Sequence, residues 1–189
     1  PHFLYNTLDT IVWMAEFNDS KRVVEVTKSL AQYFRLALNQ GHEQIALKDE
    51  IDHVRQYLFI QKQRYGDKLQ YEIEEDESLA DYKLPKLVLQ PLVENAIYHG
   101  IKEIDRQGMI RVTSAAEEGQ LILSIYDNGR GFELRDSTDM TLPRLGGVGL
   151  KNVDQRLRLQ FGDDYHMEIQ SEPDKFTQIS LYLPLDSDD

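Results

Sequence analysis

The chain has 189 residues, with 41% hydrophobic and 29% charged residues and a formal net charge of −12. That length suits one large domain or two small ones with their own cores, and the apolar content excludes a mostly disordered chain. No apolar run approaches the ~18 residues of a membrane span, and with no cysteine the chain has no disulfide, thiolate metal site or cysteine nucleophile.

The sequence starts Pro1-His2 rather than Met and carries no signal-peptide pattern, which reads as a piece of a longer protein. From Phe3 to Phe17 the apolar residues Leu4, Leu8, Ile11, Val12 and Ala15 recur at helical spacing. Asn18-Asp19-Ser20 offers capping chemistry before a second periodic stretch from Val23 to Ala37, so this is one bent helix or two. Asn39-Gln40-Gly41 predicts a C-cap and turn. Leu47, Ile51, Val54 and Leu58 then mark a further helix running toward Gly66. These residues, 1–66, form a helical hairpin with a broad apolar face and little to bury it against. Pairing with a second copy into a four-helix bundle is the economical solution, and packing on the C-terminal half of the same chain is the alternative.

Beyond Gly66 the texture changes. Leu69–Ile73 predicts a strand, and Pro85 opens an apolar helix running to Gly100. Met109–Ala115 and Gln120–Tyr126 predict strands joined by a Glu-Glu-Gly turn, with Leu121, Leu123 and Ile125 on one face. Residues 132–146 have no period. Val148–Phe161 is helical, and His166–Gln170 with Phe176–Leu183 close a strand pair. Residues 67–189 therefore predict a second domain, a mixed sheet with helices on one face, and the fold class is α+β.

The acidity is uneven. Residues 66–82 carry −6 and residues 160–189 carry −7, which leaves +1 elsewhere. Duplex DNA is a poor partner for such a chain, whereas a small anionic ligand is not excluded. Eight of the eleven glycines fall between residues 100 and 149, where backbone must approach a ligand or adopt positive φ. Three short motifs occupy that region and its approach: Glu94-Asn95 through Gly100, Asp127-Asn128-Gly129-Arg130-Gly131, and Gly146-Gly147-Val148-Gly149-Leu150. Each alone has an ordinary reading as solvated helix, plain turn or flexible loop.

In this order and spacing the three resemble the nucleotide-binding fold shared by gyrase, Hsp90, MutL and the histidine kinases, the GHKL or Bergerat fold. Pro1-His2-Phe3-Leu4-Tyr5-Asn6 resembles the phosphoacceptor signature of the LytS/YesM-type sensor histidine kinases. Leu89 to Ala96 and Gly149-Leu150-Lys151-Asn152 look like the same family. The resemblance implies that His2 is phosphorylated, a role that suits a nucleophilic imidazole largely neutral at pH 7. It implies ATP and Mg²⁺ as cofactors. Asp127 would accept from the adenine amino group, and Gly129 and Gly131 would pass close to base and ribose. Asn95 would be the metal ligand. His99 or Lys102 would reach a phosphate, provided the helix persists through Gly100.

Gly147 and Gly149, with Leu150 behind them at the helix start, would present N–H groups to the triphosphate, and residues 132–146 would form a lid. Tyr98 stands where the family often has Lys, so Arg130, Arg144 or Lys151 are further phosphate candidates. Pro91 stands where hydrolytic members carry a Glu base, which favours transfer over hydrolysis. Glu94 is expected to supply site polarity or a contact to the N-terminal helices. The implied partners are a homodimer copy and a response regulator, and the implied location is the cytoplasmic part of a membrane sensor. The rival readings are a non-catalytic nucleotide switch and a GHKL-type ATPase.

Overall fold

The computed structural model describes residues 2–38, 43–133 and 147–185. The N-terminal periodicity resolves into two helices, α1 (His2–Glu16) and α2 (Ser20–Ala37). Asn18 breaks the path at φ +57°, and Asp19 caps α2 by accepting from the Arg22 N–H at 3.3 Å. The predicted turn at residues 39–41 lies outside the described residues.

A short strand β1 (Gln44–Ala46) leads straight into α3 (Leu47–Tyr65). Asp49 and Glu50 in its first turn and Lys62 and Arg64 in its last complement the helix dipole. Gly66 ends α3 at φ +57°. Strand β2 (Leu69–Glu74) follows, then β3 (Lys83–Pro85), which pairs antiparallel with β1. Pro85 therefore closes a strand and does not open the helix. Leu87 turns the corner at φ +56°, and α4 (Leu89–Asn95) starts beyond it. The apolar run misled because Lys83–Pro85 finds its partner far upstream.

β4 (Gly108–Glu117) and β5 (Gln120–Asp127) form a hairpin whose two central residues, Glu118 and Gly119, both have positive φ, which matches the twist of the flanking strands. α5 (Gly147–Phe161), β6 (His166–Glu172) and β7 (Phe176–Pro184) complete the chain. The sheet order is β2-β4-β5-β7-β6, with β2 parallel to β4 and the other pairs antiparallel. β5 alternates strictly, burying Leu121, Leu123, Ile125 and Asp127 toward the helices.

One apolar core joins the sheet to α4, α5 and also α3, whose Leu47, Ile51, Val54 and Leu58 lie in it. Of the two readings left open for the first 37 residues the structure has two helices, so the N-terminal stretch holds three, and the third buries its apolar face against the C-terminal half of its own chain. α1 and α2 behave otherwise: Tyr5, Leu8, Val12, Trp13 and Val24 remain exposed, as does Phe17 in the turn between them.

Candidate nucleotide site

α4 is held from below by a residue that the sequence reading passed over. A helix starts with N–H groups that have no partner within it. Here the Glu50 carboxylate, fully buried, accepts the N–H groups of Leu87, Val88 (3.0 Å) and Leu89 (3.1 Å). Burial pushes that carboxyl up, while the three donors oppose the shift. Pro91 is the third residue of α4, within the first turn, where its missing N–H leaves nothing unpaired. Its ring packs toward α5, since a Cβ placed on Gly149 would lie 3.4 Å from the Pro91 Cβ.

The helix does continue past Asn95, but as a π turn over Ala96–Ile101, with the Lys102 N–H donating to the Ile97 carbonyl at 2.8 Å. Such turns recur at functional sites. The wider turn removes the unbroken α-helix on which the shared face of Asn95, His99 and Lys102 was expected to depend. Both His99 and Lys102 are exposed. Asn95 is half-buried, and its Nδ2 has no hydrogen-bond partner among the described residues.

The π turn brings Gly100 against the end of β5. Asp127 there is 4% exposed, and Gly129 donates its N–H to Oδ1 at 2.9 Å. A Cβ on Gly100 would stand 2.4 Å from that oxygen, and one on Gly129 would stand 2.4 Å from the Gly100 backbone. Only glycine fits at either place. Burial raises the Asp127 carboxyl to about 7, against the pull of the Gly129 N–H. Among the described residues no other donor reaches it, so Oδ2 is available to a ligand.

The loop after Asp127 is stitched down on several sides. Asn128 accepts from the Met109 N–H at 2.6 Å. Arg106 Nη2 donates to the carbonyls of Asn128 (2.5 Å), Gly129 (3.0 Å) and Asp174 (2.9 Å). Gly131 has φ +58°, and a Cβ there would stand 2.0 Å from the Glu172 carbonyl oxygen. The Arg130 side chain pairs with Glu103. Arg106 was not legible from any local pattern, because its three acceptors come from two distant loops.

Gly147 is the first residue of α5, and Leu150 is fully buried behind it, anchoring the helix start. Lys151 is exposed. Arg144 and Gly146, with most of the expected lid, lie outside the described residues. Two of the three motifs meet, since the π turn after α4 sets Gly100 against Asp127 and Gly129 at the end of β5, while the start of α5 lies beside the first turn of α4 through Gly149 and Pro91. His2 stands apart from them in sequence, exposed at the first position of α1. Glu94 has its hydrogen bond on its own helix, and its link to the N-terminal helices runs through Gln90. It accepts from Gln90 Nε2 at 3.0 Å, and that amide lies 3.5 Å from the Tyr33 hydroxyl of α2.

A buried acid at a strand end with glycines fitted round it is an arrangement that can accept a hydrogen bond from a ligand amine. The chain belongs to the family described as histidine kinase-, DNA gyrase B-, and HSP90-like ATPases, which matches residues 80–187. The histidine kinase family matches residues 1–69. The chain is similar to sensor histidine kinase BtsS of Escherichia coli K12, at 38% identity over 97% of the chain and 31% of that protein. It is also similar to sensor histidine kinase YesM of Bacillus subtilis 168, at 34% identity over 97% of the chain and 31% of that protein.

The chain thus spans about a third of the length of these curated relatives. Its fold is similar to that of the histidine kinase AdeS of Acinetobacter baumannii, with a TM-score of 0.58 at 16% identity over 94% of this chain and 85% of that one. The histidine kinase domain of the Erythrobacter litoralis EL346 blue-light activated kinase is similar too, with a TM-score of 0.56 at 18% identity over 94% and 87%. No helix among the described residues is long and apolar enough to cross a membrane.

Proposed function

We propose that this chain is the kinase core of a two-component sensor, which binds Mg-ATP in residues 67–189 and phosphorylates His2 on the helical segment 1–66. The observation that carries the reading is the buried Asp127 carboxylate, with one oxygen engaged by the Gly129 N–H and Gly100 and Gly129 closing round it. That geometry suits the exocyclic amine of adenine. Gly131 holds the adjoining loop against the sheet edge.

Asn95 would suit a magnesium ion because its amide oxygen is a hard neutral ligand, and its Nδ2 has no partner among the described residues. Magnesium, when bound, neutralises phosphate charge. Gly147 and Gly149 at the start of α5 would turn backbone N–H groups and the positive helix end toward the phosphates, with His99 and Lys102 as flanking cations or donors. Pro91 offers no base to activate water, so a neutral His2 nitrogen is the better acceptor for the γ-phosphoryl. That nitrogen attacks phosphorus, the bond to the β-phosphate oxygen breaks, and ADP leaves.

A response regulator aspartate would then take the group. The exposed apolar side chains of α1 and α2 support a homodimer, and the similarity to sensor kinases supports a place on the cytoplasmic side of a membrane protein. Incubation with γ-labelled ATP is expected to give an acid-labile, alkali-stable label. The label should vanish in His2→Gln and in Asn95→Ala, with nucleotide binding retained only in the former. Label persisting at the wild-type level in His2→Gln would overturn the acceptor. Steady phosphate release without a phosphoprotein would point instead to a GHKL-type ATPase.

A further inference from the structure

Behind Asn95, the seam between α3 and α4 is polar where a core is ordinarily apolar. On α3, the buried residues His53, Tyr57 and Gln61 recur every fourth position. On α4 and the π turn, Gln90, Glu94 and Tyr98 recur with the same spacing. Tyr33 of α2 closes the group, its ring stacked on His53 with centroids 4.3 Å apart and its hydroxyl 3.5 Å from Gln90 Nε2. Both His53 nitrogens, Gln61 Nε2, Gln90 Oε1 and Asn95 Nδ2 are buried without a hydrogen-bond partner among the described residues. Burial lowers His53 to about 4, which keeps it neutral at pH 7.

The same rings hold the His2 helix. Phe3 packs with its centroid 4.8 Å from Tyr33 and 4.9 Å from Tyr57. Contacts therefore run without a break from the neighbour of His2, through Tyr33 and Gln90, to Glu94, the neighbour of Asn95. Stability alone does not account for this seam. Apolar side chains of similar volume serve stability as well or better, and an unpartnered buried group costs about 1–3 kcal/mol. What directional polar contacts add is one defined placement of the helices, because sliding one past the other breaks them.

We propose that Tyr33 and Gln90 are positioning residues for phosphoryl transfer: the Tyr33 hydroxyl, met by the Gln90 amide that Glu94 orients, sets how α4 and its Asn95 sit relative to the helix that bears His2. This rests on the kinase reading above. Neither residue belongs to the nucleotide loops, so the effect is on the approach of the two reacting groups and not on ATP affinity.

Tyr33→Phe removes one oxygen and keeps the ring contacts to Phe3 and His53, and Gln90→Leu removes the amide at similar volume. Phosphohistidine formation is measured against ATP concentration, with thermal unfolding in parallel. Both variants should lose about fivefold or more in the saturating rate, within the ~10²-fold that a misplacement of ~1 Å can cost. The half-saturating ATP concentration should stay within about twofold and the melting temperature should not fall. The double variant should be no slower than the slower single, as expected for two halves of one contact. Saturating rates equal to wild type overturn the proposal. So do losses that multiply in the double variant, or a rate, half-saturation and melting temperature that all fall together. A wild-type protein without alkali-stable label brings down the kinase reading as well, whereas labelled variants that match wild type bring down this inference alone.

Discussion

α1 and α3 are helices of similar length that use it in opposite ways. α3 buries nine of its 19 residues, whereas α1 buries Thr7 and Met14 among its 15. The apolar content of α1 is not lower. It is turned outward, with Trp13 58% exposed and its ring 4.7 Å from that of Phe17, which follows the helix and is 67% exposed. Apolar surface left in water forgoes about 25 cal/mol per Å². The nucleotide half therefore carries its own core, including a helix contributed from the N-terminal segment. α1 and α2 keep much of their apolar surface exposed, the surface that the proposed pairing with a second copy would cover.

If α3 belongs energetically to the nucleotide half, cutting its tie to α4 should be the most damaging single change there. Glu50→Ala leaves the Leu87, Val88 and Leu89 N–H groups without the carboxylate that now receives them. The expected loss is about 4 kcal/mol of unfolding free energy, read by urea denaturation. Glu50→Gln keeps one acceptor oxygen and should lose about half as much. An Ala variant as stable as wild type would separate α3 from the core.

The site itself should show the opposite sign. Asp127 has its carboxyl raised to about 7 by burial, from an ordinary value of 3.8. A raised carboxylate favours folding below its unfolded value, and that contribution is lost as pH climbs from about 4 through about 7. Asp127→Asn should therefore stabilise the free protein at pH 8 by on the order of 3 kcal/mol and leave it little changed at pH 4. ATP, whose amine prefers an ionised acceptor, should bind wild type more tightly as pH rises through 7. In Asp127→Asn the affinity should be weaker and flat with pH. Calorimetry in two buffers would show the proton released on binding.

Local pattern carried much of this into view before the structure. The alternation Leu121, Leu123, Ile125 marks β5 because adjacent side chains report which face is buried, and it delivers Asp127 to the sheet's buried end. The break at Asn18-Asp19 and the stop at Gly66 are legible for the same reason. What stayed hidden depends on partners far along the chain. Pro85 pairs with Gln44, Glu50 answers to Leu87–Leu89, and Arg106 joins residues 128–129 to 174. The π turn had no signal either, since Ala-Ile-Tyr-His-Gly-Ile suits an ordinary helix and only the fit of Gly100 onto Asp127 gives the wider turn a purpose. The motifs contain Gly100, Asp127 and Gly129, which meet, whereas the supports beneath them are tertiary.

The smallest effect on folding should come from the largest change to the surface of α1. Val12 and Trp13 are both more than half exposed; Val12 shares a face with Tyr5 and Leu8, and Trp13 lies about 100° round the helix from it. Replacing both, Val12→Glu with Trp13→Glu, puts two charges where a second copy would bury two apolar groups. Sedimentation should shift from dimer to monomer at micromolar concentration. The unfolding free energy of the nucleotide half should move by no more than about 0.5 kcal/mol, as expected for surface positions. Wild type should melt at a temperature that rises with protein concentration, since association stabilises by mass action, and the variant should not. A variant that stays dimeric would place the interface elsewhere. A variant whose nucleotide half also unfolds would show that α1 is part of that core after all, and would erase the contrast between the two helices.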